Sequence, residues 1–117
     1  MSPTFIRRSI LVLGLFTAIV HLIVLPIVWG QIDMLFVLWV LNGVGYLVLL
    51  WALFTDPPFL QGTRPLLHYA FMAYTFVTIL AWFALGSMTD RLAWVTKADE
   101  VLLIAALFID LRREQAA

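Results

Sequence analysis

The chain has 117 residues, is 64% hydrophobic and 12% charged, and carries no net formal charge. A water-soluble domain is about half apolar and about a quarter charged, so a mean hydropathy of +1.04 excludes water as the solvent for most of this surface. Zero net charge excludes an electrostatic footprint for nucleic acid, and the absence of cysteine excludes disulfides, thiolate metal sites and a cysteine nucleophile.

Met1 to Arg8 reads as a short tail ending in two arginines, and residues 9–29 as a first helix. Its basic start and apolar core raise the question of a cleaved signal peptide. The core runs on to Trp29 without a small-x-small cleavage site and further apolar runs follow, so an uncleaved helix is expected. Pro26 frees the carbonyl of Leu22 and permits a kink. Gly30-Gln-Ile-Asp33 is a tight turn, and a second helix is expected over 34–54, stopped by Asp56-Pro-Pro58. Phe59-Leu-Gln-Gly62 belongs to the next connection. A third helix over 65–86 opens at Thr63-Arg-Pro65, with proline in the tolerated first turn.

Uncharged runs at Ser9–Ile32, Met34–Thr55 and Pro65–Thr89 are each long enough to cross about 30 Å of hydrocarbon at roughly 1.5 Å per residue. The connection 87–91 leads to a fourth segment, 92–111, which differs from these three by carrying Lys97, Asp99 and Glu100 in its first half. Ionisable groups at membrane depth face protein or water rather than lipid, so the other helices are expected to shelter them. The alternative is a helix that starts at a capping box of Thr96 and Asp99 and leaves these charges among headgroups. Val101 to Ile109 would then span only about 14 Å.

The expected fold is therefore all-α: a four-helix transmembrane bundle, up-down-up-down, forming a single domain. Arg7, Arg8, Arg64, Arg112 and Arg113 fall on one side and Arg91 and Lys97 on the other, which puts both termini in the cytoplasm of a cell (inner) membrane protein.

With direction assigned, rise per residue gives depth. His21 and Asn42 both come to about 18 Å above the inner face, with Thr75 and Thr78 at about 15 and 20 Å. Glu100 joins them if the fourth helix starts at Leu92. A hydrogen-bonded cluster of His21, Asn42, Thr78 and Glu100 is expected, with Lys97 or Asp99 joining from the next turn. Each member also has a purely structural reading, as helix-to-helix glue or a satisfied interior group. Trp39, Tyr46 and Trp82 lie near this layer and could line a ligand, or simply face lipid.

Bis-histidine haem ligation is disfavoured, because His68 lies about 5 Å deep, far from the level of His21. His68 reads instead as an interfacial residue beside Tyr69 and Arg64. No serine-histidine-acid set, paired catalytic carboxylates, phosphate loop or metal-ligand spacing is visible, so neither an enzyme nor a metal site is expected.

The histidine of the first helix, Asn42-Gly-Val-Gly-Tyr46, Ile79-Leu-Ala-Trp82 and the stretch from Lys97 to Glu114 ending Leu-Arg-Arg-Glu resemble those of small four-helix prokaryotic membrane proteins of unknown function. That resemblance covers most of the chain and implies no activity. The leading expectation is a non-catalytic accessory or packing subunit of a membrane complex, or a homo-oligomer, in contact with the lipid bilayer. The alternatives are a small transporter or proton pathway using Glu100 and His21, and a haem, quinone or pigment binder; no cofactor is assigned.

Overall fold

A computed structural model describes residues 2–86 and 89–116. Ser87 and Met88 of the expected 87–91 connection lie outside the described residues, as do Met1 and Ala117. Four long helices and no strand are found among the described residues: α1 (Pro3–Trp29), α2 (Met34–Thr55), α3 (Arg64–Leu85) and α4 (Arg91–Ala116). Helices α1, α2 and α3 are long and apolar enough to cross a membrane by length and composition. Helix α4 is not among them, because every stretch of that length within it includes Lys97, Asp99 and Glu100 or the charges of its last turns.

Helix α1 begins earlier than residue 9. The Ser2 hydroxyl accepts from the Phe5 N–H and Pro3 occupies the first turn, so Arg7 and Arg8 are helical rather than part of a tail. Near its far end the helix widens over Val20–Val24, where the Leu25 N–H donates to the Val20 carbonyl five residues back. The following Pro26 has no N–H to offer, and one wide turn accommodates it without breaking the helix. Gly30, at φ 70°, closes α1 in the left-handed conformation. Asp33 then caps α2 through the Phe36 N–H, 3.1 Å away, and takes the Trp29 indole N–H.

The capping box at Thr96 and Asp99 does not form. Helix α4 starts at Arg91, with the Asp90 carboxylate accepting from the Leu92 N–H at 3.0 Å. Thr96 donates back to the Leu92 carbonyl, as a hydroxyl inside a helix does, and Asp99 is engaged elsewhere. The helix also continues to Ala116.

Successive helices run antiparallel. At one end Arg7 lies over the Phe54 ring, and Arg64 bonds both the Leu53 carbonyl and Glu114. At the other, Trp29 packs edge-on against Trp39, and Trp82 against Trp94. Helix α4 packs most extensively on α1 and α3. The core is Ile6, Ile10, Ala18, Tyr46, Leu50, Leu53, Phe71, Leu103 and Leu107. Most large apolar side chains of α1 to α3 are exposed on the outside of the bundle.

Candidate functional site: two buried polar layers on the fourth helix

Helix α4 buries Thr96, Lys97, Asp99, Glu100, Leu103, Leu107, Asp110 and Leu111. Steps of three and four residues keep these side chains on one face. The face reads polar, apolar, polar: an upper layer at residues 96–100, an apolar belt of Leu103 and Leu107, and a lower layer beginning at Asp110.

In the upper layer Asp99 accepts from the Thr17 hydroxyl of α1 in a short hydrogen bond. The Lys97 ammonium reaches back to Glu100 at 2.6 and 3.0 Å, and Glu100 is fully buried. Lys97 also lies 5.9 Å from the centre of the Trp82 ring. His21 turns Nδ1 to the carbonyl of Thr17 on its own helix, 2.8 Å away. A carbonyl oxygen can only accept, so Nδ1 carries the hydrogen. Among the described residues His21 and Glu100 share no hydrogen bond or ion pair: each finds a partner one turn away on its own helix.

Asn42 and Thr78 form a second group, between α2 and α3. The Thr78 hydroxyl lies 3.1 Å from Asn42 Oδ1, and the Tyr74 hydroxyl donates to the Asn42 carbonyl at 2.8 Å. Gly45 allows that bond, since a Cβ there would meet the Tyr74 oxygen at 2.0 Å. Gly43 similarly lets α1 approach, with Leu22 side-chain carbon 2.5 Å from a Cβ built at this position. Tyr46 joins the groups. Its ring centre is 6.1 Å from that of His21 and 5.0 Å from that of Tyr74. Its hydroxyl is buried, with the hydroxyls of Thr75 and Thr78 and the carboxylate of Glu100 as its polar neighbours.

The sequence-derived cluster is thus resolved into Asn42–Thr78 on one side and Thr17–Asp99 and Lys97–Glu100 on the other, bridged by Tyr46 and His21. Thr17, four residues before His21 and so on the same face of α1, enters the layer through Asp99. The three candidate ligand-lining aromatics are dispersed: Tyr46 is central, Trp82 stacks edge-on with Trp94, and Trp39 packs on Trp29 at the end of the bundle.

The lower layer corrects the reading of His68 as an interfacial residue. His68 is fully buried, with Nδ1 2.8 Å from the Arg64 carbonyl and Nε2 2.8 Å from Asp110 Oδ2. Glu114 Oε2 lies 3.3 Å from the same nitrogen. Arg113 holds the other oxygen of Asp110. Arg64 grips Glu114 with two N–H groups at 2.8 and 3.1 Å and faces Asp56 at 3.5 Å. His68, Asp110 and Glu114 bring one donor atom each within 4.8 Å of one another. Their spacing along the chain hides this, since His68 and Asp110 are 42 residues apart. The legible signal is Asp110 and Glu114 one helical turn apart, the first near the end of the expected helix and the second just beyond it.

A match to a family of unknown function (DUF7475) covers residues 3–109. The chain belongs to the DUF7475 family. No curated protein and no solved structure matches it. The region matched takes in all of the upper layer and ends one residue before Asp110.

Proposed function

We propose that the chain is a multi-pass protein of the cell membrane, crossing it four times with both termini in the cytoplasm. We further propose that it acts without catalysis, as a subunit of a larger membrane assembly or of a homo-oligomer. One observation carries this reading. Helix α4 turns Lys97, Asp99, Glu100 and Asp110 towards the interior of the bundle, where it packs on α1 and α3, and turns Val101, Leu102, Phe108 and Ile109 outwards. A helix in lipid hides ionisable groups against protein and offers apolar ones to the acyl chains.

Those buried groups also have fixed partners: Asp99 has Thr17, Glu100 has Lys97, and Asp110 has His68 and Arg113. Carboxylates committed in this way support architecture rather than turnover. Close approach at Gly43 and Gly45, together with hydrogen bonds between helices, is what holds helices together where lipid is as apolar as leucine. The cluster of Arg7, Arg8, Arg64, Arg112 and Arg113 supports cytoplasmic termini.

The chain has no cysteine, so single substitutions test the topology cleanly. A membrane-impermeant maleimide should label Gln31→Cys in intact spheroplasts and Ala116→Cys only after lysis. Labelling of both before lysis overturns the topology. Crosslinking in native membranes should yield a dimer or a hetero-complex; a lone monomer overturns the subunit role.

A second reading, proton-coupled transport through Glu100 and His21, draws support from the upper layer. Two carboxylates, Asp99 and Glu100, stand against the single ammonium of Lys97, beside the buried Tyr46 hydroxyl. The apolar belt of Leu103 and Leu107 separates this layer from the lower one, so passage requires the helices to rearrange. pH-dependent flux in liposomes that disappears in Glu100→Gln supports transport. Flux unchanged in that variant removes it.

A further inference from the structure

We propose that His68, Asp110 and Glu114 form a binding site for a divalent transition-metal ion of the zinc class, set between α3 and α4 at the end of the bundle that holds the termini. Three independent features point there.

The first is the geometry of the donors. His68 Nε2 stands 2.8 Å from Asp110 Oδ2 and 3.3 Å from Glu114 Oε2. Zinc binds nitrogen and carboxylate oxygen at about 2.0–2.2 Å, which separates neighbouring tetrahedral ligands by roughly 3.4 Å. Asp110 Oδ2 must move outward by about 0.6 Å, and the two carboxylates, whose donor atoms lie within 4.8 Å of each other, must settle at the same spacing for the three atoms to share one ion. Asp110 and Glu114 are one turn apart on α4, so one helix presents both oxygens from the same face.

The second is the orientation of the ring. The Arg64 carbonyl, 2.8 Å from Nδ1, fixes the hydrogen on that nitrogen and aims Nε2 at the carboxylates. Ligating histidines are held this way, with the second nitrogen donating to a backbone carbonyl or carboxylate. The carboxylates are braced too: Arg113 holds Asp110 Oδ1, leaving Oδ2 to the site, and Arg64 bonds both oxygens of Glu114, so Oε2 is shared between Arg64 and the site.

The third is the make-up of the surroundings and access. Three carboxylates, Asp56, Asp110 and Glu114, meet two guanidinium groups, Arg64 and Arg113, around the ring. A metal ion at Nε2 stands where the contact between ring and carboxylates now runs. A recess of about 210 Å³ lined by Arg64, Pro65, His68, Leu111, Glu114 and Gln115 opens beside His68 and Glu114. It provides an entry path and room for water as a fourth ligand.

The full chain, purified in mild detergent through a histidine-free tag and stripped with chelator, is titrated with Zn²⁺ and with Co²⁺. One ion per chain at micromolar or tighter affinity is expected, with the visible absorption of four-coordinate cobalt. Binding should weaken at least tenfold in His68→Gln and in Asp110→Asn, and less in Glu114→Gln. No stoichiometric binding by the wild-type chain overturns the proposal, as does binding that survives all three substitutions. Should the variants fail to fold, zinc-edge X-ray absorption of the wild-type protein decides: one imidazole nitrogen with carboxylate oxygens supports the site, and a shell without imidazole overturns it. Metal binding is read in detergent, so its failure leaves the subunit role standing, and the reverse also holds.

Discussion

The imidazole of His68 lies 2.8 Å from the carboxylate of Asp110, and both side chains are fully out of contact with solvent. The pair ties α3 to α4 across 42 residues of chain. Removing one member of such a pair strands the other, at a cost of about 3 kcal/mol or more. Asp110→Asn should lower the unfolding free energy by that amount in metal-free detergent, measured by denaturant titration. Glu114→Gln, at the partly exposed edge of the network, should cost less than about 1 kcal/mol. Equal losses would mean that burial adds nothing to the His68–Asp110 contact.

The Lys97–Glu100 pair predicts strong non-additivity. Lys97→Met leaves Glu100 and Asp99 without their ammonium, and Glu100→Leu leaves a buried lysine facing Asp99 alone. Each single change should destabilise by about 3 kcal/mol, while the double variant should lie close to the wild type. A double-mutant cycle from unfolding curves measures the coupling. Simple addition of the two losses would show that the groups act independently.

The Thr17 hydroxyl is the side-chain partner of Asp99 across 82 residues of chain. Thr17→Val keeps the shape and removes the donor, leaving a buried carboxylate short of one bond, which costs about 2 kcal/mol. Thr17→Ser retains the hydroxyl and should recover most of the loss. Thermal unfolding of the three proteins side by side checks the order wild type, Ser, Val.

Gly45→Ala introduces a methyl group where the Tyr74 oxygen now sits, 2.0 Å from the built Cβ. Either the tyrosine gives up the Asn42 carbonyl or α2 and α3 move apart, for about 1–3 kcal/mol. Adding Tyr74→Phe removes the clashing oxygen and should restore part of the stability. If the double variant is no better than Gly45→Ala, the ring carbons of residue 74, at 2.5 and 3.0 Å from the built Cβ, carry the clash instead.

Helix number and approximate extent were readable because apolar runs, prolines and glycine turns mark them locally. Boundaries moved where a side chain supplied a cap that composition does not reveal, as Ser2 does for Phe5 and Asp90 for Leu92. In the upper layer, depth counting brought His21, Asn42, Thr78 and Glu100 to one level, yet rise per residue carries no information about which way a side chain turns. His21 bonds its own helix and Glu100 takes the lysine three residues before it. The lower layer is not legible because Glu114 lies beyond the expected helix end at 111 and because nothing local joins His68 to Asp110, 42 residues away.

Composition and order alone determine that α1, α2 and α3 are long and apolar enough for a membrane, because that property is a sum over neighbouring residues. They also determine that the charges of the fourth helix need shelter. Which groups provide it was decided only by folding. The partners Thr17 with Asp99 and His68 with Asp110 lie 82 and 42 residues apart. Pairing at that range depends on how four helices rotate and slide against one another, and glycines at the contacts and a widened turn at Val20–Val24 set those degrees of freedom.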